Sequence, residues 1–158
     1  MSDQNQSYRG GPRHQEQGNP NPPSRPVEVS FYSDKASKVL HPKLLCEWAK
    51  DQAMLFPGGR DRLTKSQIRR FFGAIKNLHF QIESNRPWEQ VLPLFKMFLS
   101  KVSYAEKAAS KKIPKEFADF LKENIKRVGD DQDNFRAFVL YFEAVLGFAY
   151  GLEKVGRE

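Results

Sequence analysis

A single carboxylate inside a long hydrophobic run is the first residue to consider for chemistry. Glu143 interrupts the weakly charged stretch from Ala137 to Leu152. Burying a carboxyl there is costly unless it is paired, and acid–base catalysis needs a second group beside it. No second carboxylate or histidine lies nearby in sequence. Glu143 therefore reads as a structural group, buried and paired with a Lys or Arg of a neighbouring helix. The histidines, His14, His41 and His79, are scattered, and no two have the spacing of a helical metal site. Cys46 is the only cysteine, so no intramolecular disulfide can form. Its apolar setting, Leu44-Leu45-Cys46-Glu47-Trp48, reads as that of a core thiol. The Gly58-Gly59-Arg60 turn lacks the Lys-Ser/Thr of a P-loop, although its backbone amides could meet a phosphate. The expectation is a non-enzyme with no catalytic residue, no metal site and no cofactor.

What remains is positive charge. Among 158 residues, 26 Lys and Arg stand against 19 Asp and Glu, a net +7. Such a surplus favours polyanionic partners. Near the N-terminus Arg9, Arg13, Arg25 and Lys35 are cancelled by Asp3, Glu16, Glu28 and Asp34, so the surplus belongs to the rest of the chain. At about 100° per residue, Arg62, Lys65, Arg69 and Lys76 form one row with no acid among them, Arg60 extends it backward, and Arg70 lies on the far shoulder. Further on, Lys96, Ser100, Ser103, Tyr104, Lys107 and Lys111 share an outward face, Lys101 sits at the edge of the buried stripe, and Glu106 points away. Two uncompensated ridges suit a phosphate backbone: Arg grips phosphate with two N–H groups, Lys acts as a point charge, and Tyr stacks or hydrogen-bonds. Elsewhere, Lys115 with Asp119 and Glu123 with Arg127 make ordinary i,i+4 pairs.

These ridges have to be carried by helices. Residues 1–36, rich in Gly, Pro, Asn and Gln, bury too little apolar surface to offset their ordering entropy and are expected to form a disordered tail. Residues 37–158 are expected to be one all-α domain, a five-helix bundle without strands. The first helix should start near Pro42, with Leu44, Leu45, Trp48 and Leu55 on one face, and stop at Pro57-Gly58-Gly59. The second opens with a capping box, Thr64 and Gln67, and a hydrophobic staple, Leu63 and Ile68. It then turns Ile68, Phe71, Phe72, Ile75, Leu78 and Ile82 inward. A third helix over about 87–109 should be kinked, or shortened at its start, by Pro93. A fourth runs from about Pro114 to Val128, and a fifth over about 133–152 is apolar nearly all round, as befits a central helix or a subunit contact.

Three of these stretches resemble a known family. Leu63-Thr64-Lys65-Ser66-Gln67-Ile68-Arg69-Arg70-Phe71-Phe72 is similar to the Thr-x-x-Gln-Ile-Arg-Lys-Phe signature of the small helical Csm subunit of type III-A CRISPR effector complexes. Phe98 to Tyr104-Ala105 resembles its Leu-Lys-Pro-Lys-Leu-x-Tyr-Ala segment, and Asn134-Phe135 through Phe142-Glu143-Ala144-Val145 its C-terminal helix. Leu99-Ser100 stands where that family usually has Lys-Pro. The resemblance, over about residues 42–152, implies a non-catalytic subunit that stacks with copies of itself beside other Csm subunits. It would line the crRNA–target RNA with little regard to sequence. Carried over by position, Lys65, Arg69, Arg70, Lys101 and Tyr104 are the implied RNA contacts. Helix geometry adds Arg62, Lys96, Lys107 and Lys111. Arg69 has a structural alternative, an ion pair within the chain, for instance with Glu143.

The competing reading is a helical protein–protein scaffold whose basic faces meet acidic partners. A membrane role is not expected: the N-terminus is polar, and the longest weakly charged run is shorter than the roughly 20 residues a span needs. The absence of disulfides suits a cytoplasmic protein.

Overall fold

The computed structural model describes residues 27–107 and 112–156. Six helices follow one another: α1 (Glu47–Leu55), α2 (Lys65–Glu83), α3 (Trp88–Lys96), α4 (Phe98–Lys107), α5 (Lys115–Val128) and α6 (Gln132–Gly151). The bundle is all-α, as the periodicity predicts, with the expected third helix divided into α3 and α4. Pro93 has no N–H to offer the preceding turn, and the division falls one turn beyond it. There Met97 keeps a helical backbone (φ −61°, ψ −19°) and donates its N–H to the Pro93 carbonyl at 3.1 Å.

The capping box at the start of α2 forms as expected. Thr64 Oγ1 accepts from the Gln67 N–H at 3.2 Å, and Gln67 Oε1 accepts from the Thr64 N–H at 2.8 Å. Leu63 and Ile68 are both buried. Between α5 and α6 the chain reverses at Gly129, whose φ of +61° suits a residue without a Cβ. Asp131 then caps α6 by accepting from the Asn134 N–H at 2.8 Å.

The centre of the core is α6, which lies against α1, α5 and α2. It buries Phe135, Phe138, Val139, Tyr141, Phe142, Val145 and Leu146. From α5, Phe117 and Phe120 meet this surface, with ring centroids 5.1 Å apart for Phe120–Phe142 and 5.9 Å for Phe117–Phe142. Each such ring contributes about 1.5–3 kcal/mol through burial. This is the central-helix option for the C-terminal segment.

Several expectations are corrected. The chain does contain strands: β1 (Tyr32–Asp34) pairs antiparallel with β2 (Val39–Leu40), and β3 (Leu63–Thr64) pairs parallel with β4 (Val155–Gly156). Strands of two or three residues leave no alternation to read. Residues 27–36, assigned by composition to the tail, include the buried Val29 and Phe31, and the Tyr32 hydroxyl donates to the Asp133 carbonyl at 2.6 Å. A few apolar side chains suffice when a groove is ready for them. The tail expected upstream, residues 1–26, lies outside the described residues. The first helix starts at Glu47 and not near Pro42. Residues 42–46 form turns after the hairpin, with Leu44 buried but Leu45 and Cys46 exposed. Cys46 is thus not a core thiol.

Candidate functional site

Two shoulders of α2 flank its buried stripe and face different neighbours. On one, Phe72 meets Phe142 with ring centroids 4.9 Å apart, Lys76 pairs with Glu143 at 3.3 Å, and Glu83 pairs with Arg136 at 3.1 Å. This shoulder therefore faces α6, antiparallel. On the other, Gln67 Nε2 donates to the Lys112 carbonyl at 2.8 Å, which ties the start of α2 to the chain leaving α4. Lys112 in turn donates its backbone N–H to the Ala105 carbonyl at 3.1 Å and holds its ammonium 4.7 Å from the centroid of the Tyr104 ring. The first turns of α2 and the last turns of α4 thus come together at one end of the bundle.

The two basic ridges sit on different helices, and the cations of α2 stand on both of its shoulders, as the far-shoulder position of Arg70 predicts. At the helical repeat, Lys65, Arg69 and Lys76 stand on the α6 shoulder, whereas Arg70 stands on the shoulder of Gln67, toward α4. Lys65, Arg69 and Arg70 are exposed, with no carboxylate within 4 Å among the described residues. Lys76 is compensated by Glu143. Arg62 is exposed too, and its side chain lies flat across the buried Gly156. A Cβ there would come within 2.5 Å of Arg62 Nε. With Arg60, Thr64 and Gln67, Arg62 lines an open cavity of about 590 Å³ that Glu106, Ile113 and Lys115 also line.

On α4, Ser100, Lys101, Tyr104 and Lys107 are exposed, and Lys101 sits 5.0 Å from the Phe98 ring centroid. The side chain of Glu106 turns away and pairs with Lys122 of α5. Lys96 does not belong to an uncompensated ridge: on α3, ahead of the division at Met97, it pairs with Asp130 at 2.8 Å. Lys111 lies outside the described residues. Lys112, which sequence reasoning passed over, takes a place at this end. Its partners, Gln67 and the Tyr104 ring, belong to other parts of the chain, so no wheel of one helix shows its place. Met97, 47% exposed, was missed as well, because only charged and hydroxyl side chains were read as a binding face.

Glu143 is neither buried nor paired with Arg69. Its side chain is 57% exposed and its partner is Lys76. His41 stacks on Trp48 at 4.2 Å, and His79 lies beside Glu83, burial pushing its imidazole below the usual range. Among the described residues no group of His, Cys, Asp or Glu could hold a metal ion. The Gly58-Gly59-Arg60 turn becomes one short 3₁₀ turn, Gly59–Asp61. The Lys115–Asp119 pair forms as expected, but Arg127 turns to the Asn124 side-chain oxygen at 2.8 Å and does not pair with Glu123. No helix of the described residues is long and apolar enough to cross a membrane.

The model of the Csm2 Type III-A family matches residues 40–151, from the end of β2 to the last residue of α6. No curated protein and no solved structure matches the chain. The matched span contains every helix, the capping box of α2 and the cations on α2 and α4. The chain belongs to the Csm2 Type III-A family and is a small subunit of a type III-A CRISPR complex.

Proposed function

We propose that this protein holds an RNA backbone, that of the crRNA with its target, largely independently of sequence and without catalysing a reaction. One observation supports the reading. The start of α2 and the end of α4 carry several Lys and Arg side chains that no carboxylate of the described residues meets. Lys65, Arg69, Arg70, Lys101 and Lys107 have no acid within 4 Å among the described residues, and the Gln67–Lys112 hydrogen bond joins the two elements. Lone cations meet phosphates without having to break an internal pair. Arg62 lies just ahead of Lys65, Tyr104 lies between Lys101 and Lys107 on α4, and Lys96 has to leave Asp130 first. The protein acts in the cytoplasm as part of the Csm assembly.

The test is fluorescence anisotropy with labelled RNA across a salt series. Log affinity for a single strand should fall linearly with log salt, by about 0.7 per phosphate neutralised. Lys101→Ala/Lys107→Ala should flatten that slope by roughly 1.4. No binding at low salt, or a slope unchanged in the double variant, would refute the proposal for this surface.

A second reading, a protein-contact role, has its own support on the α6 shoulder. Phe80 is 69% exposed beside an ion-paired rim of Lys76–Glu143 and Arg136–Glu83, and Leu140 and Tyr150 of α6 are exposed as well. Apolar surface with balanced charge suits a protein better than RNA, so self-association or a Csm partner belongs there. Sedimentation velocity of Phe80→Glu/Leu140→Glu against wild type tests it. Unchanged sedimentation at all concentrations would remove self-association from this face.

A further inference from the structure

The α4 surface carries more than charge. Met97, Ser100, Lys101, Tyr104 and Lys107 follow one another at i, i+3, i+4, i+7 and i+10, so they form one stripe of the helix. Tyr104 is 62% exposed and Met97 47%. A surface that reads only phosphates has no use for an aromatic ring set between Lys101 and Lys107, nor for Met97 exposed on the same side. The placement of Lys112 adds to this. Its ammonium lies 4.7 Å from the Tyr104 centroid, so one side of the ring is backed by a cation and the other is left to solvent. The backing is held from below, because the carbonyl of the same Lys112 accepts from Gln67 Nε2 at 2.8 Å. An aromatic ring fixed on one side and open on the other, with unpaired lysines about a turn away, offers a nucleobase a stacking surface and its phosphates a counter-charge.

We infer that Tyr104 is a stacking platform for an unpaired nucleobase, and that this end of the protein therefore engages single-stranded or locally splayed RNA in preference to a continuous duplex. The inference rests on the RNA-binding reading and adds a ligand class to it. A base inside a duplex keeps both faces against its neighbours and offers none to Tyr104. A splayed base places one face on the ring, Met97 lies a further two turns along the same stripe, and Lys101 and Lys107 meet the flanking phosphates.

The experiment compares three labelled probes on the full chain at one moderate salt concentration: a 12-nucleotide oligouridine, an abasic ribose-phosphate strand of equal length, and a 12-base-pair RNA duplex. Wild type should bind oligouridine about tenfold more tightly than the abasic strand, the effect of one stacked base. Tyr104→Ala should bring the two affinities together, and Tyr104→Trp should preserve the difference. Because Tyr104 is exposed, circular dichroism should report unchanged helicity in both variants. Equal affinity of wild type for oligouridine and the abasic strand would overturn the platform while leaving backbone binding intact, and would assign Tyr104 and Met97 to a protein contact. Tighter binding of the duplex would overturn it as well. Failure to bind any of the three probes would overturn the RNA reading together with the platform.

Discussion

Gln67 is the residue on which the two halves of the site meet, and truncating it has a calculable cost. Its Oε1 accepts from the Thr64 N–H at 2.8 Å, and its Nε2 donates to the Lys112 carbonyl at 2.8 Å. Each bond contributes about 0.5–1.5 kcal/mol net, more where a part-buried partner is left without a replacement. Gln67→Ala should therefore destabilise the fold by about 2 kcal/mol. Thr64→Ala removes one bond, the 3.2 Å contact from the Gln67 N–H, and should cost about 1 kcal/mol. Urea unfolding monitored by circular dichroism measures both, with the slope unchanged and the midpoint moved. A Gln67→Ala effect no larger than that of Thr64→Ala would mean that the bond to Lys112 contributes nothing. The account of how α2 and α4 are joined would then be wrong.

Acid titration should reveal Asp131. Burial pushes its carboxyl up, but the Lys35 ammonium and the Asn134 N–H together hold it below the ordinary carboxylate value. Its stabilisation is complete above that ordinary value and is lost as pH falls through the folded-state value. Asp131→Asn should therefore cost under about 1 kcal/mol at neutral pH, because solvent reaches the pair and screens it, and the gap from wild type should close in acid; a gap constant with pH in denaturation curves would contradict this. In the core, Phe120 meets Phe56, Phe117, Phe138, Tyr141 and Phe142, so Phe120→Ala should cost about 3–5 kcal/mol in the same urea assay. A loss below about 1 kcal/mol would mean that this cluster is not the centre of the core.

What the sequence made legible is what lies within one helix. The capping box, the inward face of α2 and the stop at Pro57-Gly58-Gly59 all depend on residues a few positions apart, and all are found where the pattern puts them. Contacts between helices were hidden. A wheel drawn for α2 cannot show that Lys76 faces Glu143, nor one for α3 that Lys96 faces Asp130, because each partner belongs to another element. Nor could a wheel show that the two shoulders of α2 face different neighbours, α6 on one side and the chain leaving α4 on the other. Glu143 was misjudged for a related reason: a hydrophobic helix still has one outward strip, and Leu140, Glu143 and Tyr150 lie on it. The entry of Val29 and Phe31 into the core left no trace in composition, since two side chains do not alter the average of a polar segment.

The short parallel pairing of β3 with β4 sets the order in which the molecule comes apart. Leu63 donates its N–H to the Lys154 carbonyl at 3.0 Å, joining two positions separated by all the helices from α2 to α6. A contact of such sequence separation forms only after the intervening helices have docked, and two residues of ladder hold it weakly. In native-state hydrogen exchange, the Leu63 amide should behave as a latch that opens well below the global unfolding free energy. Each opening would also free Arg62 from the backbone of Gly156, so this latch lies beneath one of the exposed cations.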